Sequence, residues 1–116
     1  MDALELRAYC LKKKGVTESF PFNETTLVFK VGDKMFLLVA IDSQPLSFSA
    51  KANPEWSTEL REEYSQITGA YHMNKTHWNS VLCEGLKPDF ITKLIDHSYE
   101  LVLNTLPNRI KIDIEK

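Results

Sequence analysis

Glycine and cysteine are both scarce in this chain, with four glycines and two cysteines among 116 residues. Two thiols, Cys10 and Cys83, make neither a disulfide framework nor a Cys-x-x-Cys metal motif. The glycines stand far apart, which excludes a Gly-rich phosphate loop and a Gly-x-Ser-x-Gly nucleophile turn. Long hydrophobic runs are missing as well. The longest, Met35 to Ile41, falls far short of the ~20 apolar residues that span a bilayer. The opening Met-Asp-Ala-Leu-Glu lacks the basic and apolar regions of a signal peptide. Charge of one sign is not in excess either, since 14 Lys+Arg against 16 Asp+Glu leave a net −2. That balance argues against strong nonspecific neutralisation of DNA phosphates. No low-complexity tract, internal repeat or Pro/Gly/Ser linker divides the chain. The expectation is one soluble cytoplasmic domain over residues 1–116, with reduced thiols and no membrane association.

What is present suffices for a core. Hydrophobic residues make up 43% and charged residues 26%, ordinary values for a globular domain of this size. Asp2 and Glu5 form a capping-box pattern for a first helix, with Leu4, Ala8 and Leu11 as its apolar stripe and Cys10 beside it. Lys12-Lys13-Lys14 followed by Gly15 reads as the end of that helix. Thr25–Val31 and Met35–Ile41 read as strands joined by Gly32-Asp33, a two-residue turn expected as type II′. Leu46–Lys51 alternates, with Leu46, Phe48 and Ala50 on one face and Ser47, Ser49 and Lys51 on the other, a small open polar face. Asn53 caps and Pro54 starts a second helix, whose Trp56, Leu60 and Tyr64 form a buried stripe. Its outer surface, with Glu55, Glu59, Glu62, Glu63 and Arg61, is acidic. Ile67–His72 and His77–Cys83 form a second hairpin around Met73-Asn74-Lys75-Thr76. A last helix runs from about Pro88 to Leu106. The tail alternates at Ile110, Ile112 and Ile114, and edge strand and short packed extension both remain open for it. The fold class is α+β: a two-layer antiparallel sheet with helices on one face, in the order α-β-β-β-α-β-β-α.

The second hairpin concentrates candidate binding groups. No acidic residue occurs from Gln66 to Cys83, and Tyr71–Val81 carries two histidines, a lysine and two aromatics. A four-residue turn in simple register sets His72 opposite His77 and Tyr71 opposite Trp78, and the aromatic pair would brace the hairpin. Asn74, Lys75 and the two imidazoles can present donors to phosphates or a groove. A metal site on His72, His77 and Cys83 lacks ligand spacing. A Cys83 nucleophile would lie roughly 20 Å along the strand from a His77 base. Cys83 reads instead as a small core residue. Ser98 can bond back to the Leu94 carbonyl, and Tyr99 can pack beneath the sheet with its hydroxyl on a buried partner.

His-Met-Asn-Lys-Thr-His-Trp-Asn-Ser-Val (72–81), Gly-Leu-x-Pro-Asp (85–89), Asp-x-Ser-Tyr-x-Leu-Val (96–102) and Leu-Pro (106–107) together resemble the MmcQ/YjbR-like family. Tyr9-Cys10, Gly15-Val16, Phe20-Pro21-Phe22, Val28-Phe29-Lys30-Val31 and Lys34-Met35-Phe36 follow the same family's opening. The resemblance runs from Leu6 to Pro107. It implies an α-β-β-β-α-β-β-α domain similar in layout to type III secretion chaperones. Family members are described as double-wing DNA-binding proteins, with the hairpins as wings. The positions matching the signature are Lys34, His72, Asn74, Lys75, His77, Trp78, Asn79, Ser98 and Tyr99.

The expected function is a non-enzymatic accessory protein that contacts duplex DNA through its hairpin wings. Lys34, Lys51, His72, Asn74, Lys75 and His77 are the candidate nucleic-acid contacts, with no catalytic residues, no metal and no cofactor. The alternative is a protein-interaction module or chaperone-like homodimer that binds no DNA. A small-molecule binder or enzyme using the histidines stands third.

Overall fold

A computed structural model of the protein describes residues 1–70 and 73–116. The elements are α1 (Ala3–Leu11), β1 (Val16–Ser19), β2 (Thr26–Val31), β3 (Lys34–Ala40), β4 (Ser47–Lys51), α2 (Pro54–Glu63), β5 (Ile67–Gly69), β6 (Trp78–Leu82), α3 (Pro88–Leu103) and α4 (Asn108–Glu115). The strands form one antiparallel sheet in the order β1-β2-β3-β4-β6-β5. The α+β class and the succession of helix, strands, helix, hairpin and helix follow the sequence reading. Val16–Ser19 adds an edge strand ahead of the other three. The tail resolves as a helix. Ile110 and Ile114, one turn apart, pack against the core, while Ile112 is 59% exposed.

The helices lie on one side of the sheet. Leu27, Phe29, Leu37, Val39, Phe48, Ala50 and Val81 point towards them and share one cluster with Leu6, Cys10, Leu60, Ile91, Ile95 and Val102. In α1 the buried face is Leu6 and Cys10, whereas Leu4 is 76% exposed and Leu11 37%. The expected Leu4–Ala8–Leu11 stripe is therefore wrong. A nine-residue helix presents little periodic signal, and its orientation is decided by the groups that dock it. The Tyr9 hydroxyl and the Lys13 ammonium both donate to Asp96 of α3, at 2.6 and 2.5 Å. Lys13 also lies 5.0 Å from the ring centres of Tyr9 and Tyr99. Burial, and then the Asp96 bond, push the Tyr9 phenol up to about 12.

The caps are as read. Asp2 accepts from the Glu5 amide at 2.8 Å, and Asn53 accepts from the Trp56 amide at 2.8 Å with Pro54 at the first helical position. The β2–β3 turn is type I′ rather than II′, since Gly32 and Asp33 both have positive φ, 56° and 64°. A Cβ on Gly32 would also meet a Leu106 methyl at 2.6 Å, so that side chain would have to shift.

Sheet and helices are joined at a bulge. Phe29 faces Leu37 and Lys30 faces Met35, which leaves Phe36 as the extra residue of β3. Its ring is fully buried and packs edge-on against Tyr99, with centres 5.4 Å apart. Continuing the β3–β4 register past Leu37↔Ala50 brings Phe36 opposite Lys51. There the Ser98 hydroxyl takes the place of a direct ladder bond. It donates to the Phe36 carbonyl at 2.5 Å and accepts from the Lys51 amide at 2.9 Å. The expected back-bond to Leu94 is not made, because the sheet offers the hydroxyl two partners that would otherwise go unpaired. Tyr99, next along α3, donates to the Lys14 carbonyl at 2.6 Å.

Between α2 and α3, the Asn53 amide donates to His97 Nε2 at 3.2 Å, and Trp56 lies edge-on to the same imidazole at 4.5 Å. Burial lowers the His97 pKa from its usual 6.5.

Two outcomes are expected. Ser98→Ala leaves a buried carbonyl and amide unpaired, so urea unfolding should show a loss of about 2–4 kcal/mol. A change below about 0.5 kcal/mol would contradict this role, since that is the scatter of neutral surface substitutions. For His97, the unfolded chain binds the proton more readily than the folded one. Its contribution is complete above the unfolded pKa and is lost as pH falls through the lower folded pKa. Stability measured from pH 7.5 to 5 should therefore drop more in the wild type than in His97→Gln, and parallel profiles would refute the assignment.

Candidate nucleic-acid interface

Helices on one side leave the other face of the sheet open. Register and alternation assign to that face Thr17 and Ser19, Thr26, Val28 and Lys30, Met35, Leu38 and Ala40, Ser47, Ser49 and Lys51, Thr68, and Trp78, Ser80 and Leu82. Among these strand residues Lys30 and Lys51 are the charged ones, and no carboxylate accompanies them. Glu18 stands opposite the core residue Phe29, on the helix side, where Arg7 grips it in a two-pronged ion pair. The polar face anticipated at Ser47, Ser49 and Lys51 extends onto β6 through Ser80.

Both hairpin turns emerge at the end of the sheet where Lys30 and Lys51 lie. The β2–β3 turn follows Val31, and the β5–β6 turn precedes Trp78. In the strand order the two turns are three spacings apart, or about 14 Å. Lys51 lies between them, with its ammonium 5.6 Å from the Trp78 ring centre. Lys34 is exposed at the first turn, but it pairs with the core residue Val31 and so sits towards the helix side. The structure thus gathers Lys34, Lys51, Asn74, Lys75 and His77 at one end of the molecule, on two sides of the sheet. His72, and Tyr71 beside it, lie outside the described residues.

The second turn departs from simple register. Gly69 pairs with Asn79, one position from its expected partner Ser80, and the Ala70 amide donates to the Trp78 carbonyl at 3.0 Å. The expected Tyr71–Trp78 pairing rested on that unshifted register. Asn74 organises the turn. Its carbonyl accepts from the His77 and Trp78 amides at 3.1 and 2.8 Å, and its Oδ1 accepts from the Thr76 amide at 3.0 Å. Asn74, Lys75, Thr76 and His77 are all exposed.

The turn is held from α2. Arg61, read as part of the outer surface of α2, turns inwards. Its Nε donates to Asn79 Oδ1 at 2.7 Å, and its Nη2 donates to the carbonyls of Trp78 and Lys75. Asn79 is 3% exposed and donates onward to the Ser57 hydroxyl at 3.0 Å. The signature asparagine is thus a strut between sheet and helix. One arginine among four glutamates carries no sequence mark of this role. Trp78, 6% exposed, likewise serves the fold.

Beside the basic end, the open face is concave. A cavity of about 490 Å³ is floored by Ala40, Ser47, Ser49 and Ser80, with Phe22 and Asn23 on one wall and Ala70 and Met73 on the other. Phe22 is 61% exposed. The Phe20-Pro21-Phe22 segment was legible as apolar residues outside any strand, but its place over the sheet was not. The thiols take no part. Cys10 and Cys83 are buried and free, and burial pushes them up to about 12 and about 11. Such thiols stay protonated at neutral pH and are poor nucleophiles. Among the described residues, no three His, Cys, Asp or Glu side chains gather as a metal site, and no helix is long and apolar enough to cross a membrane.

Comparison with known proteins agrees with this fold. The family model YjbR matches residues 11–101. The protein YjbR of Escherichia coli (strain K12) is 35% identical over 109 residues, covering 92% of each chain. YbdF of Escherichia coli O157:H7 is 34% identical over 91 residues, covering 78% of this chain and 75% of that one. A crystal structure of Deinococcus radiodurans protein DR2400 superposes with a TM-score of 0.91 at 34% identity, covering 98% of this chain and 88% of that one. A crystal structure from Pseudomonas syringae gives 0.73 at 28% identity, covering 88% and 99%. The cap-to-tail agreement in fold and the matched span make this chain a member of the YjbR family.

Proposed function

We propose that this protein is a non-enzymatic DNA-binding accessory protein that contacts duplex DNA with the basic end of its sheet. The observation that carries the reading is the meeting of both hairpin turns with Lys51 at one end of a face whose strands bear lysines and no carboxylates. Turns about three strand spacings apart, or about 14 Å, can straddle a groove edge and reach phosphates on either side. The glutamates of α2 belong to the helix layer, so the opposite face escapes their repulsion. Lys51 and Lys75 supply cations, and Asn74 and His77 supply further donors. Arg61 fixes the second turn through two of its carbonyls, so the donors are set before DNA arrives.

The exposed apolar residues Phe22 and Leu82 favour a second reading, a protein partner or homodimer on the open face. Size-exclusion light scattering separates the two. A stable dimer that binds no DNA would replace the first reading with the second.

Fluorescence anisotropy with a labelled duplex should show binding at low salt that weakens steeply as salt rises. Lys51→Glu combined with Lys75→Glu should raise Kd by roughly tenfold and flatten the salt slope by about one to two units, as expected for lost phosphate contacts. No binding at low salt, or an unchanged slope in the variant, would refute the assignment.

A further inference from the structure

The cavity on the open face has a chemistry of its own. Among the described residues its lining carries no ionisable side chain. Ser47, Ser49 and Ser80 contribute hydroxyls, and no hydrogen bond within the protein engages them among the described residues. Ser49 and Ser80 face each other across the β4–β6 ladder, about 5 Å apart at Cβ. Ser47 lies two residues along the same strand, at about 7 Å. A hydroxyl both donates and accepts, so this triangle suits the mixed edge of a neutral polar ring. Phe22 on one wall and Met73 on the other offer apolar surface to the flat faces of such a ring. Among the described residues nothing here would neutralise a charged ring. The volume falls within the range of small-ligand sites.

The nearest cation on the same face is Lys51, two residues beyond Ser49 and so about 7 Å along the strand. A ligand with a neutral ring in the cavity and an anionic group one nucleotide backbone away would satisfy both features. We infer that the cavity is a nucleobase pocket, which takes one unpaired base with its phosphate towards Lys51. For the base to come from DNA, this rests on the DNA reading above. The same chemistry in a free nucleotide would not require it. A base that has left its stack regains stacking on an aromatic side chain and hydrogen bonds on its edge.

Two duplexes of equal length test this, one fully paired and one with a central bulge of unpaired thymidines. The bulged duplex should bind about tenfold more tightly, the scale of one base stacked on an aromatic ring. Phe22→Ala, on an exposed loop, and Ser49→Phe, which fills the cavity, should each bring the ratio of the two affinities close to one. Equal binding of both duplexes by the wild type would overturn the inference, as would a ratio unchanged in Phe22→Ala. If neither duplex binds, the DNA reading falls and thymidine 5′-monophosphate decides the pocket. Amide shifts at Ser47, Ser49 and Ser80 that Phe22→Ala abolishes would support a free-nucleotide site. No shifts would overturn the pocket as well.

Discussion

Where β3 and β4 would exchange a further ladder bond, the Ser98 hydroxyl stands between them, bonded to the Phe36 carbonyl and the Lys51 amide. Much of the molecule hangs on that insertion. The bulge at Phe36 turns an extra aromatic ring into the core, and a bulge leaves backbone groups without ladder partners. Buried groups of that kind are tolerated only when something satisfies them. A hydroxyl from the central helix does so at both ends, which sets the height of α3 on the sheet. Tyr99 then reaches the Lys14 carbonyl and Asp96 meets Tyr9 and Lys13. One turn of α3 thereby docks both the sheet and α1.

The open face is a consequence of this layering. With the helices held to one side, the second face of the sheet is left uncovered by helices, although Val28 and Trp78 on it are buried. Its residues include the hydroxyls of Ser47, Ser49 and Ser80 and the cations Lys30 and Lys51, beside apolar residues such as Leu38 and Leu82. The same division sets the glutamates of α2 in the layer opposite Lys30 and Lys51, so a protein of net −2 can still present a locally basic surface. Arg61 links the two layers from the helix side. It spends its donors on Asn79 and on turn carbonyls rather than on a ligand, and this internal use makes the second turn a fixed projection.

Several residues of the family signature are therefore structural. Asn79, Trp78, Ser98 and Tyr99 are buried and bonded, while Asn74, Lys75 and His77 are exposed at the turn. Sequence distinguishes these two groups poorly, because both lie within the same motifs. Burial distinguishes them at once. His97 occupies the variable position of Asp-x-Ser-Tyr. Its role as acceptor for the Asn53 amide appears only when α2 and α3 are set side by side.

The sequence by itself determined what depends on neighbouring residues. Asp2 and Asn53 cap their helices because a side-chain oxygen is in reach of an amide three residues on. Gly32-Asp33 makes a tight hairpin because those residues accept positive φ. The alternation of Leu46–Lys51 sorts core from open face because successive side chains in a strand point opposite ways. Only the tertiary structure decided which face of α1 is buried, the one-residue offset of the second hairpin and the helical tail. It alone also decided the inward turn of Arg61 and the cavity beneath Phe22. Each of these depends on contacts between residues distant in the chain, where local propensity is weak and a few docking bonds choose among alternatives of nearly equal local energy.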